Sequence, residues 1–204
     1  MISPPPSGSL RRRSLLRAFG AATVRMLPAW GAGGFLLAGA PDARASAAEL
    51  VAFDLTRDED GVYLGYAVEF ELGRAVDDAL VKSVPLFFVA EAEIFRERWY
   101  WRDYRVTRAV RTWRIVYQPL TSTYRVTTIG GLSQTYATRA EAIASFSRVS
   151  RWKIAEPGQL EEGGHHYVEF QFRLDTSQLP RPMQIGIGGE PDWQLSVKRT
   201  LRIN

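Results

Sequence analysis

The stretch 95-FRERWYWRDYRVTRAVRTWRIVY-117 holds three Trp, three Tyr and seven Arg, and the way it is read decides the fold. Its second half alternates: Trp113, Ile115 and Tyr117 share one parity, Thr112, Arg114 and Val116 the other. Period two marks a strand whose successive side chains point to opposite faces of a sheet. Phe95, Trp99 and Trp101 also share a parity, so the run predicts two facing strands joined by a turn near 102-RDY-104. Large aromatics opposite one another stabilise such a ribbon, which assigns most of these rings to core or cross-strand packing.

The arginines fit that reading less well. Arg96, Arg98, Arg105, Arg108, Arg111, Arg114 and Arg125 gather on the ribbon, whereas Lys82, Lys153 and Lys198 are the only lysines of the chain. A planar guanidinium stacks on aromatic faces and pairs with carboxylates through its fork of N–H groups. With Glu91, Glu93 and Glu97 close in sequence, the ribbon reads first as a self-satisfied ladder and second as an anion- or partner-binding face. On the second reading the binding candidates are Trp99, Trp101, Arg102 and Arg105.

Outward from the ribbon the same alternation continues. Val51, Phe53 and Leu55, then Val62, Leu64, Tyr66, Val68 and Phe70, predict a hairpin turned by 57-RDEDG-61. The segment 86-LFFVAEAEIF-95 is extended. Tyr124 to Ile129 reads as a strand turned at Gly130-Gly131 into 132-LSQTYA-137. Val168, Phe170, Phe172 and Leu174 alternate, 175-DTSQLPRP-182 reads as a turn region, and Trp193, Leu195, Val197, Leu201 and Ile203 read as a terminal strand. Two stretches break the pattern with helical spacing. In 73-GRAVDDALVK-82, Leu72, Val76, Ala79 and Leu80 share a face and Pro85 follows. Thr138 and Glu141 form a capping box ahead of Ala142, Ile143, Phe146 and Val149. The predicted architecture is mainly β (α+β): an antiparallel β-sandwich-like domain over 48–204, of eight or nine strands, with two short helices covering an edge or an end.

Residues 1–47 read as a signal or targeting segment. A Pro/Ser-rich leader, Arg11-Arg12-Arg13 and the apolar 35-FLLAGA-40 end in the small-x-small sites 43-ARA-45 and 45-ASA-47. The run 12-RRSLLR-17 resembles a twin-arginine signal, so export to the periplasm is predicted by the Sec or the twin-arginine route. From Met26 to Ala40 the apolar stretch, with Pro28 and several Gly, is too short to span a bilayer comfortably, and no stable transmembrane segment is expected after cleavage. Of the 26 Lys+Arg and 22 Asp+Glu, six arginines and Asp42 precede residue 48, leaving 20 bases and 21 acids, a net charge of about −1. That balance gives no support to a nucleic-acid or anionic-membrane partner. Zero Cys excludes disulfides and thiolate chemistry.

Few residues point to catalysis. His165-His166 are the only histidines, and adjacent residues of a strand face opposite ways, so no metal site and no cofactor is predicted. Glu91 and Glu93 share one side of a strand and could raise one another's pKa for acid/base work, although acids facing arginines are more ordinarily solvated ion pairs. There is no G-x-S-x-G, P-loop or dinucleotide fingerprint, and 186-GIGG-189 has neither the phosphate-loop spacing nor a helix to open.

The segments 84-VPLFFVAEAEI-94, 98-RWYW-101, 111-RTWRIVYQPLTSTYRV-126, 130-GGLSQTYATRAEAI-143 and 174-LDTSQLPRPMQI-185 resemble those of the proteobacterial family called domain of unknown function 4390. The resemblance runs from about Ala48 to the C-terminus and implies a small exported protein, with no activity or catalytic residue to carry over. It also implies a gene neighbourhood with a sensor histidine kinase and its response regulator. The function predicted first is a non-enzymatic periplasmic interaction or accessory module with an envelope protein partner, linked to a membrane sensor system. The second is a periplasmic ligand carrier or hydrolase using a cleft near Glu91/Glu93.

Overall fold

The ribbon at the centre of the sequence is also the centre of the larger sheet. In the computed structural model, which describes residues 48–100, 102–161, 163–187 and 189–203, β3 (Leu86–Arg96) and β4 (Tyr104–Gln118) pair antiparallel. Leu86, Phe88, Ala90 and Ile94 lie opposite Ile115, Trp113, Arg111 and Thr107. The predicted targeting segment lies outside the described residues. Around the ribbon are β1 (Glu49–Asp58), β2 (Gly61–Glu69), β5 (Thr123–Thr128), β6 (Ser133–Tyr136), β7 (Arg148–Ala155), β8 (His166–Leu174) and β9 (Ser196–Ile203). The helices are α1 (Arg74–Val81), α2 (Arg139–Ser147) and α3 (Arg181–Gly186).

Two antiparallel sheets result, β1-β2-β7 and β6-β5-β4-β3-β8-β9, and the expected mainly β, sandwich-like fold is what the chain adopts. Facing side chains of the two sheets make the core. Phe53 and Tyr66 of the smaller sheet meet Phe170 of the larger, with ring centroids 5.4 and 4.9 Å apart, distances typical of favourable offset aromatic pairs. Phe88, Ala90, Ala92 and Ile94 are completely buried along one face of β3, as period-two alternation requires of a strand half sunk in a core.

The two predicted helices are α1 and α2. In α2 both halves of the capping box form: the Thr138 hydroxyl accepts from the Glu141 N–H at 3.2 Å, and the Glu141 carboxylate accepts from the Thr138 N–H at 3.3 Å. The helix buries Ala142 and Phe146, the latter 4.8 Å from the Phe88 ring, and so closes one end of the core. α1 buries Val76, Ala79 and Leu80, and its first turn is capped from far along the chain, Ala75 N–H donating to Asp192 Oδ2 at 2.9 Å.

Three elements differ from the sequence reading. Val149, placed on the α2 face, instead lies in β7, because the chain turns extended at Arg148 and pairs with β2 through Tyr66↔Val149 and Leu64↔Trp152. Register shifts on either side of Leu64 break the simple alternation of 148–155, which hides the strand from a period-two reading. Within the expected turn region Arg181 and Pro182 start a third short helix, Pro being tolerated in a first turn whose N–H groups have no intrahelical acceptor. Trp193 ends a single 3₁₀ turn from Pro191 rather than joining β9; both it and Leu195 are buried against the core before the strand begins. At the hairpin turn Gly130 has φ +79°, a left-handed conformation that costs an L side chain and suits Gly, as the Gly-Gly pair predicts.

Candidate functional site

The face of β3 and β4 turned away from the core carries the charges. Arg108 Nε donates to Glu91 Oε1 and lies 3.7 Å from Glu93, while Arg105 donates to Glu93 at 2.8 Å. The Glu91 hydrogen bond, and then its charge, hold the Arg108 guanidinium above its ordinary value. The ladder reading therefore describes Glu91, Glu93, Arg105 and Arg108: their carboxylates are occupied by exposed cations on an open sheet face. Two surface cavities stand out among the described residues. One of about 280 Å³ is lined by Thr176, Ser177, Gln184 and Trp193 among others, and one of about 190 Å³ by Arg57, Gly61, Pro157 and Leu160 among others. Neither includes Glu91 or Glu93.

Arg111 departs from the ladder. Its parity is that of Trp113, and it turns between the sheets to lie over the Trp152 ring at 5.3 Å. Burial pulls its guanidinium below the ordinary value, as low dielectric disfavours a charge, and the neighbouring Tyr66 phenol is raised by the same burial. The two histidines face apart as expected: His165 is exposed, whereas His166 is buried with Nδ1 2.9 Å from Gly164 O and Nε2 unpartnered.

The ribbon's turn behaves unlike either face. β3 ends at Arg96, so Trp99 does not continue the parity of Phe95; it projects from the turn, 95% exposed, with Tyr100 67% exposed beside it. The two rings meet edge to face at 5.1 Å. The turn below them is tied down at three points. Glu97 N–H donates to His165 O at 2.9 Å, Arg98 N–H to Asp103 Oδ1 at 3.1 Å, and the Tyr167 hydroxyl to Asp103 Oδ2 at 2.8 Å. Burial, and then the Asp103 hydrogen bond, push the Tyr167 phenol up to about 12 from 10.0. Arg98 stacks over the Tyr104 ring at 4.8 Å, and Arg102 is exposed.

Of the four predicted binding residues, Trp99 and Arg102 share this tip, Arg105 belongs to the Glu93 ladder, and Trp101 lies outside the described residues. Tyr100 is the exposed aromatic that the parity argument passed over, although its place between two Trp is a legible signal. The tether from Tyr167 spans 64 residues and had no local signal.

Comparison with known proteins adds one match: the family model described as Domain of unknown function (DUF4390) covers residues 45–203. The chain belongs to that family. The DUF4390 span thus takes in both sheets, the ladder and the tip, and no curated protein or solved structure matches the chain.

Proposed function

We propose that this DUF4390 protein is exported to the periplasm and acts there as a non-enzymatic interaction module, with the β3–β4 tip as its docking element. The observation that carries the reading is Trp99, 95% exposed on a turn held by one internal hydrogen bond and two from the scaffold, at His165 and Tyr167. Trp, Tyr and Arg are the residue types that dominate binding energy at interfaces, and a pre-ordered turn avoids the entropy of fixing them on binding. Export is supported by the basic, apolar and small-x-small order of residues 11–47. A role beside a membrane sensor rests on the gene neighbourhood implied by the family resemblance.

Affinity capture of envelope components by the wild-type protein and by Trp99→Ala/Tyr100→Ala tests the docking role. Loss of captured material in the variant, with an unchanged melt, is expected; equal capture would overturn the assignment of the tip. N-terminal sequencing of the native product is expected to begin at Ser46 or Ala48, and an intact Met1 on a cytoplasmic product would refute export.

A further inference from the structure

Building on the docking role of the tip, we infer that the surface it engages is the headgroup zone of an anionic lipid bilayer. Trp and Tyr favour that zone because an apolar ring with a polar edge matches the boundary between acyl chains and water. Trp99 and Tyr100 present two such rings at the end of a ribbon, where insertion displaces no other part of the fold. Arginines flanking them can keep their stems along the apolar layer while the guanidinium reaches lipid phosphate.

Charge at the tip fits the same surface. Among the described residues Glu93 is paired with Arg105 and Arg108, Glu97 with Arg202 and Glu161 with Arg96, whereas Asp103 is hydrogen-bonded by the neutral Arg98 N–H and Tyr167 hydroxyl and keeps its charge. Arg98 and Arg102 have no carboxylate within ion-pair distance among the described residues. Charges are screened over about 8 Å at physiological ionic strength, so a surface meeting the tip feels Arg98 and Arg102 set against Asp103, a local charge of about +1, and not the chain's net charge. The net −1 of residues 48–204 is therefore no guide to this contact.

A protein pocket is the less suitable occupant. Specific protein interfaces bury roughly 800 Å² per partner around a core depleted in charge. The surface next to Trp99 and Tyr100 is charged throughout: Arg98 over the exposed Tyr104 ring, Arg102, and then the Glu91, Glu93, Arg105 and Arg108 ladder. A tip this small gives weak, reversible adsorption, which would hold the protein near the membrane without anchoring it.

Sedimentation with vesicles tests the inference, using the protein in the form that cells yield and its variants from the same source, so that the N-terminus is constant. Phosphatidylcholine vesicles with and without phosphatidylglycerol are the probes. Wild-type protein is expected to bind the anionic vesicles more tightly, Arg102→Ala to weaken that binding about fivefold, the contribution of one basic residue near an anionic surface, and Trp99→Ala/Tyr100→Ala to weaken binding to both vesicle types. Vesicle binding unchanged in the double variant would overturn the inference. Absence of vesicle binding, with envelope capture still lost in the double variant, would overturn it too while leaving the docking role intact and its partner a protein. Neither assay responding to the double variant would end both readings.

Discussion

Trp113 and Trp99 lie on one ribbon, fourteen positions apart, and have opposite fates: the first is 5% exposed, the second 95%. Trp113 sits opposite Phe88 on the core side of β4 and stacks on Phe146 of α2 with centroids 5.9 Å apart. Trp99 follows the last paired residue of β3, where the ladder that would assign it a face has ended. The same side chain is therefore core or contact surface according to whether backbone pairing continues beneath it. The arginines divide in the same way, Arg111 turned between the sheets over Trp152, Arg102 exposed at the turn.

The contrast breaks most decisively at its buried end. Trp113→Ala should destabilise the fold by about 3 to 5 kcal/mol, the usual loss for deleting a buried large aromatic, and a denaturant melt that stays within about 1 kcal/mol of wild type would show that the ring is not a core residue. Thr138→Ala, which removes one half of the capping box at the start of α2, should cost about 1 kcal/mol by the same measurement.

At alkaline pH the tether of the tip becomes the measurable part. Tyr167 has its folded-state pKa raised to about 12 from 10.0, so the fold binds its proton more tightly than the unfolded chain does. Its stabilisation is complete below pH 10 and is lost as the pH rises towards 12; Tyr66, also raised, acts in the same direction. A melt series across that window should therefore fall with pH, and Tyr167→Phe should flatten part of the slope. An unaltered slope would mean that the Asp103 tether does not form.

The smallest effects belong to the exposed side chains. Arg108→Ala removes a pair whose arginine side chain is 52% exposed and should leave the melt close to that of wild type, and Trp99→Ala, which removes no buried packing, should stay within about 0.5 kcal/mol of wild-type stability. A loss of several kcal/mol on Trp99→Ala would place that ring in the core and erase the distinction on which the docking role stands.

Local signals were enough for much of this molecule. Alternation in 62–70 and 111–117, the capping box at Thr138 and Glu141, and Gly130-Gly131 each encode their element through side chains a few residues apart, and the sandwich-like class follows from their order. The pairing of Glu91 and Glu93 with ribbon arginines was legible for the same reason, since a hairpin folds neighbours in sequence onto each other. What the tertiary structure decided was everything set by distant partners. β7 exists because β2 supplies its ladder from some eighty positions away, Arg111 turns inward because Trp152 meets it there, and Trp193 is buried because its 3₁₀ turn packs on the core. The tip is held outward by Asp103, Tyr167 and the His165 carbonyl. Periodicity reports which side of a strand a residue takes, but the end of the strand, and what waits beyond it, depends on where the pairing partners stop.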